Sequence, residues 1–297
     1  MRFDDVKQVE QALQEASYLP DHGLATAIYL ALAMRRPLLL EGEPGVGKTE
    51  VAKTLSRIMG TELIRLQCYE GIDASQALYE WDYSRQLLYA RALQGGELDV
   101  DERVKELYGP EFLLERPLLK AIRAGGDAVL LIDELDRADD EFEAFLLEVL
   151  SDFSVTVPEL GTIAPGDPPA VVITSNRTRE LHDALKRRCL YHWVEHPSFE
   201  REVAIVRLRV PEVSEQLARQ VSAAVEAMRG LQLYKQAGVS ETLDWVAALV
   251  ALDRTELDPA VVDETLGILI KNQEDLETVR GEKGARLEEL VGKARGN

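Results

Sequence analysis

The sequence predicts an α/β fold, a mostly parallel sheet covered by helices, followed by a domain built only of helices. Three observations lead there. Five short apolar runs recur at residues 37–40, 62–66, 128–132, 170–174 and 190–194. Helical stretches separate most of them, and strands alternating with helices give a parallel sheet buried on both faces. From Phe199 onward the strand pattern stops and only helical periodicity remains.

Taken in order, Val6, Val9, Leu13 and Ala16 recur at helical spacing and predict a helix over 6–17, with a second over 23–34. The first strand, ending Leu38-Leu39-Leu40, is followed by a glycine-rich segment and a helix over 50–59. Residues 67–101 are rich in Tyr, Gln and Glu and carry Trp81, which reads as short helices or loops inserted into the basic fold. Residues 153–163 alternate in character around Pro158 and Gly161, the pattern of a hairpin. Past His196-Pro197-Ser198, helices are expected at about 199–208, 214–228, 240–252 and 259–276. The charged, Gly-containing end reads as a short helix fraying out. The expected organisation is an α/β core over 1–198, with an insert at about 67–101 and a hairpin at about 153–163. A helical domain over 199–280 and a flexible tail over 281–297 complete it.

The 297 residues suffice for one large and one smaller core. Apolar residues make up 46% and charged residues 29%, as in ordinary globular proteins. Fifty-three acidic against 34 basic residues give a net charge of −19, which opposes contact with nucleic-acid backbones or anionic membranes. The acidity reads as solubility, or as an acidic face for a basic partner. Cys68 and Cys189 lie far apart without metal-ligand spacing, so a reducing cytoplasm is the expected location. No apolar run approaches the ~20 residues that span a bilayer.

Gly42-Glu43-Pro44-Gly45-Val46-Gly47-Lys48-Thr49 fits G-x-x-x-x-G-K-[ST] at every fixed position, between a strand and a helix. Glycines let the backbone curl until several N–H groups point inward as an anion nest, and the helix N-terminus adds partial positive charge. Lys48 can reach the β- and γ-phosphates of ATP, and the Thr49 hydroxyl can bind Mg²⁺. With Glu50 at the helix start and Asp133 downstream, this octapeptide is the candidate nucleotide site. The plainer alternative is a Gly-rich strand-to-helix turn.

Val129-Leu130-Leu131-Ile132 leads into Asp133-Glu134, which places two carboxylates at the carboxyl end of a buried strand, the edge where ligands bind. Asp133 would hold the Mg²⁺ shell, and Glu134 would accept a proton from the attacking water or orient it. Helix capping is the other use of such acids. Asn176 ends the strand Val171-Val172-Ile173-Thr174-Ser175 and can hold a water together with Glu134, or close an Asx-turn. Lys186-Arg187-Arg188 precedes the last strand. These are solvated charges, or arginines projecting from the same edge towards the γ-phosphate of a neighbouring subunit.

This order of motifs resembles the AAA+ ATPases. Asp133-Glu134-Leu135-Asp136-Arg137-Ala138 is similar to the D-E-[IL]-[ND]-R-A signature of the MoxR branch. Gln67-Cys68-Tyr69-Glu70-Gly71-Ile72-Asp73 and Gly238-Val239-Ser240-Glu241-Thr242-Leu243-Asp244-Trp245 look most like the subgroup found with carbon monoxide dehydrogenase maturation genes. The resemblance covers roughly residues 3–280. It implies a P-loop AAA+ domain with a five-stranded sheet in the order 5-1-4-3-2, a helical lid, and a ring, typically a hexamer, with ATP between subunits. It implies that Asn176 is the first sensor and that Arg188, or its neighbour Arg187, acts in trans. It further implies a partner with a von Willebrand factor A domain, and chaperone action on the metal centre of a client enzyme. The family's insert around 70–100 usually faces the pore or partner. Where many members have a second-sensor arginine in G-A-S-P-R-A, this chain has Thr242.

His22, His182, His192 and His196 show no ligand spacing and read as surface or helix-end residues. Cys68 and Cys189 read as small packed groups. Tyr79, Trp81, Tyr83 and Tyr89 either pack the insert onto the body or grip a client. A nucleic-acid motor or loader, and an ATP switch without turnover, are the competing readings.

Overall fold

The computed structural model describes residues 3–92, 105–281 and 284–296; most of the second half of the expected insert lies outside them. The chain divides into two compact units, one of residues 1–12, 21–41 and 49–193, the other of 13–20, 42–48 and 194–297. The phosphate loop and a short segment that begins in the last turn of the first helix therefore cluster with the C-terminal helices. The expected boundary at 198 gives one cut, whereas the observed second unit is gathered from three stretches of chain.

The first unit centres on a parallel sheet of β1 (Leu38–Glu41), β2 (Glu62–Gln67), β5 (Ala128–Asp133), β8 (Ala170–Ser175) and β9 (Leu190–Trp193). Their order is β2-β5-β8-β1-β9, all parallel. Counting only these five strands, this is the 5-1-4-3-2 arrangement implied by the resemblance. Strand β5 is buried at every position, as a central parallel strand must be. Its Leu130 and Ile132 join Leu39, Leu66 and Ile173 in one apolar core.

Other elements of the chain up to residue 193 are α1 (Val6–Glu15), α2 (His22–Met34) and α3 (Lys48–Met59). After β2 come α4 (Ala74–Ala77), β3 (Tyr79–Trp81), α5 (Tyr83–Ala92), β4 (Leu113–Glu115) and α6 (Pro117–Ala124). Beyond β5 follow α7 (Asp140–Asp152), β6 (Val155–Val157), β7 (Gly161–Ile163) and α8 (Asp183–Arg188). Strands β6 and β7 form an antiparallel pair closed around Gly161 at φ 82°. In the insert, β3 pairs antiparallel with β4. Trp81 is buried there with its ring centroid 5.1 Å from that of Tyr108, while Tyr83, Leu87, Leu88 and Tyr89 on α5 are exposed.

The second unit holds α9 (Phe199–Arg209), α10 (Glu215–Arg229), α11 (Val239–Ala251), α12 (Pro259–Leu269), α13 (Gln273–Arg280) and α14 (Ala285–Arg295). The single helix expected over 259–276 is two. It breaks before Asn272, whose side chain accepts from the N–H groups of Glu274 and Asp275 and caps α13. The short helix expected at the end is α14, and it packs rather than frays: Leu287, Leu290, Val291 and Ala294 are buried in the helical core. The i, i+3, i+4, i+7 spacing of those four explains it: one apolar stripe outweighs a charged composition.

Candidate functional site

In the first unit, the carboxyl ends of β2, β5 and β8 and the first turn of α3 bring the expected Thr49, Asp133, Glu134 and Asn176 together with Arg65, Gln67 and Thr174. Asp133 is almost wholly buried, and its Oδ1 accepts from the hydroxyls of Thr49 at 3.0 Å and Thr174 at 2.6 Å. Its other oxygen, Oδ2, accepts from Arg65 Nε at 3.0 Å and Nη2 at 2.5 Å. Strand register explains the pairing, because Gln67 lies opposite Asp133 and the side chain of Arg65, two residues back, emerges on the same face of β2. Thr49 and Asp133, 84 positions apart, thus present a hydroxyl and a carboxylate together. Such hard oxygen donors suit Mg²⁺.

Glu134 follows with its backbone in the left-handed region, φ 54° and ψ 50°, the conformation of its turn into a short 3₁₀ segment. Its N–H donates to Thr174 Oγ1 at 2.9 Å. Gln67 Nε2 donates to its Oε2 at 3.1 Å and Asn176 Nδ2 to its Oε1 at 3.4 Å. Arg137 Nε lies 3.4 Å from Oε2. Below them, buried Asp136 accepts from the Asn176 N–H at 3.1 Å and from the Thr178 N–H at 2.8 Å, which fixes the chain leaving β8. Asn176 and Glu134 are therefore brought together. Burial pushes the nearby Cys68 thiol up to about 12, with Asp133 adding to it, so it stays protonated and inert. Burial likewise raises Cys189 to about 12.

Arg187 and Arg188 are not part of this group. They end α8, just before Leu190 pairs with Leu38 at the start of β1. They therefore lie at the amino edge of the sheet, opposite to the edge expected from the sequence. The cause is the parallel direction of β9: a residue preceding a strand lies at the end where its neighbours begin. Arg36 holds this corner, donating from Nη2 to the Arg187 carbonyl at 2.5 Å and from Nε to the Arg188 carbonyl at 3.0 Å. Arg188 Nε donates to Ser151 Oγ at 2.9 Å, and Arg187 is exposed.

The second unit contains the loop from Gly42 to Lys48, with Gly42, Gly45 and Gly47 at φ 157°, 78° and 97°. All three values belong to the region that L side chains avoid, which is why glycine stands there. The Lys48 ammonium is buried and donates to the carbonyls of Gly42 and Glu43, each at 2.7 Å. Of the remaining loop positions, Glu43 lends its carbonyl to Lys48 and the Val46 side chain is buried. Glu50, two residues beyond the loop, lies 3.6 Å from Lys53 and 3.8 Å from Arg57 on its own helix.

Also in this unit, Thr242 is wholly buried. Its hydroxyl donates to Glu202 Oε1 at 2.8 Å and to the Gly238 carbonyl at 3.0 Å. Glu202 is gripped at both oxygens by Arg229, at 2.6 and 2.8 Å. Thr242 thus builds the lid rather than facing the loop. His196 is not a surface residue, since both its ring nitrogens are buried without a partner. Burial, then the cations Arg229 and Lys48, depress it to about 4. The other histidines meet carboxylates, His22 with Glu10, His182 with Asp140 and His192 with Asp21. No cluster of three or more His, Cys, Asp or Glu suited to a metal occurs among the described residues.

Arg65, Gln67 and Thr174 are the residues of this rim to which the sequence assigns no role. For Arg65 and Gln67 a signal exists: two polar residues at alternate positions of β2, interleaved with the buried Ile64 and Leu66.

A glycine-curled strand-to-helix loop, and a threonine bonded to the terminal aspartate of a central parallel strand, define a P-loop α/β protein. Within that class the chain belongs to the AAA domain family, dynein-related subfamily, whose model matches residues 37–189, just over half of its length. Midasin of Giardia intestinalis is 31% identical over 137 residues, 46% of this chain, which spans 2% of midasin's length. An uncharacterised protein of Staphylococcus epidermidis is 26% identical over 226 residues, 74% of this chain and 77% of that one. A RuvB structure of Thermotoga maritima aligns at 16% identity with a TM-score of 0.49, over 94% of this chain and 77% of that chain. No helix among the described residues is long and apolar enough to cross a membrane.

Proposed function

We propose that this AAA+ family member hydrolyses ATP and uses the energy to remodel a client enzyme, in the manner of the MoxR branch. The observation that carries the ATPase reading is the 3.0 Å bond from Thr49 to Asp133. Lys48 and Thr49 are the adjacent K-[ST] positions of the G-x-x-x-x-G-K-[ST] motif, whose ammonium and hydroxyl serve one nucleotide. Bound Mg²⁺, held by Thr49 and Asp133, would supply charge neutralisation to the phosphates. Lys48 would exchange its carbonyl partners for β- and γ-phosphate oxygens. Glu134, aimed by Gln67 and Asn176, would take a proton from the attacking water, and Asn176 would hold that water in line.

Arg188, with Arg187 as its neighbour and alternate, would complete the site of the next subunit in a ring, typically a hexamer. Its position at the amino edge of its own sheet supports action in trans, because that edge is remote from Asp133 and Glu134 of the same unit. The exposed α5 face bearing Tyr83, Leu87 and Leu88 suits contact with a client. The likeness of residues 67–73 and 238–245 to the carbon monoxide dehydrogenase-associated subgroup supports a molybdenum enzyme as client, a von Willebrand factor A domain protein as partner, and a cytoplasmic setting.

The test is Glu134→Gln. ATP binding should persist while turnover falls at least ~100-fold. Unchanged turnover removes Glu134 from the chemistry. The ATP-loaded variant, used as bait, should retain client and partner. The net charge of −19 disfavours a nucleic-acid motor or loader; DNA or RNA binding that weakens steeply with salt would restore that reading. Negligible hydrolysis by the wild-type protein with its partner present would favour an assembly switch.

A further inference from the structure

The phosphate loop is held from outside by the start of α11, and it is held at one peptide. The Gly45 carbonyl accepts from the Ser240 backbone N–H at 3.2 Å and from the Ser240 hydroxyl at 3.2 Å. Gly238, the residue before the helix, lies so close that a Cβ on it would meet Gly45 Cα at 2.6 Å. A Cβ on Gly45 would meet the Glu241 carboxylate at 2.6 Å and Gly238 Cα at 3.0 Å. Two glycines from distant stretches of chain are therefore required at the same point, each to admit the other's backbone. The helix start is itself anchored, by Thr242 on buried Glu202 and by Glu241 accepting from the Gly238 N–H at 3.0 Å.

A trans peptide carries its C=O and N–H in opposite directions. With the Gly45 oxygen drawn to Ser240, the N–H of Val46, which shares that peptide, is turned away from α11. We propose that Ser240 and Gly238 are positioning residues for the phosphate loop: they fix the Gly45–Val46 peptide so that the Val46 N–H faces the bound triphosphate. The role deepens, and rests on, the nucleotide-binding reading given above. It also assigns a function to the start of α11 in a chain whose second-sensor position is Thr242. The N-terminal turn of the lid helix shapes the anion cradle through a backbone carbonyl, where other members are expected to reach the nucleotide with an arginine.

Because the effect acts on the cradle, it is shared by any ligand with the same polyphosphate. Calorimetry with MgATP and with inorganic tripolyphosphate, on wild type, Ser240→Ala, Ser240→Thr and Gly238→Ala, tests it. Ser240→Ala keeps the backbone donor and should weaken both ligands alike, by roughly 3- to 10-fold, the loss of one hydrogen bond. Ser240→Thr keeps the hydroxyl and should bind as wild type. Gly238→Ala pushes the helix start off the loop and should weaken both ligands by more than Ser240→Ala does. Wild-type affinity for both ligands in the two alanine variants overturns the proposal, as does weakening confined to ATP. Wild-type protein that binds neither ligand overturns the nucleotide reading and this role with it. Loss of fold in Gly238→Ala leaves the Ser240 pair to decide.

Discussion

The phosphate loop and the carboxylate rim are built by opposite means. Around the loop, main-chain atoms do the work: glycine dihedrals, a lysine folded onto two carbonyls, and one carbonyl tied to α11. At the rim, side chains from β2, from β8 and the residue after it, and from α3 hold Asp133 and Glu134, with Arg65, Thr49, Thr174, Gln67 and Asn176 each spending a donor on them. A backbone-built cradle needs a contiguous run of residue types, whereas a rim built from side chains draws single residues from far apart. The difference implies that the two parts should fail separately.

The largest expected effect breaks the cradle alone. Lys48→Ala should lower ATP affinity at least ~100-fold, about 3 kcal/mol, because a charged donor to two phosphates is lost. Calorimetry measures it, and affinity within a few-fold of wild type would make the loop a mere turn. Next, Arg65→Leu strands the buried Asp133 carboxylate without its cation. Breaking buried pairs is expensive, but Arg65 is half exposed, so destabilisation should be about 2 kcal/mol, read as a lower urea midpoint. Tripolyphosphate affinity should barely move in that variant, and a loss as large as that of Lys48→Ala would erase the distinction drawn here.

The smallest effect concerns His196. Its folded value of about 4 lies below the ordinary 6.5, because burial first, and then the charges of Arg229 and Lys48, oppose its protonation. Between those values the unfolded chain binds more protons, so stability is complete above about pH 6.5 and declines as pH falls towards 4. His196→Phe should flatten that part of the stability–pH curve. An unchanged slope would mean that other groups produce it.

Much of this was legible in the sequence because the physics is local. The apolar runs ending in Leu40, Ile132 and Thr174 announce buried parallel strands, and the spacing of Gly42, Gly45, Gly47 and Lys48 announces the curled loop. What stayed hidden depends on partners distant in the chain. Arg65 carries meaning only once β2 is known to lie beside β5, and Ser240 only once Gly45 is found beneath it. The edge occupied by Arg187 and Arg188 follows from the direction of β9, which no run of residues states. At the end of the chain a short helix is legible, but the packing of Leu287, Leu290, Val291 and Ala294 is masked by the charge around them.

The dispersal of the second unit along the chain limits how it can be taken apart. Arg201 donates to the carbonyl of Leu19 at 2.6 and 3.1 Å, and Ser240 to that of Gly45. Both acceptors belong to stretches that precede Val194 by well over a hundred residues. A fragment beginning at Val194 would keep its six helices and their apolar interior, yet leave those donors to water. Exchanging lids between relatives by a single splice would therefore graft half of an interaction, and the stretches at 13–20 and 42–48 would have to travel with it.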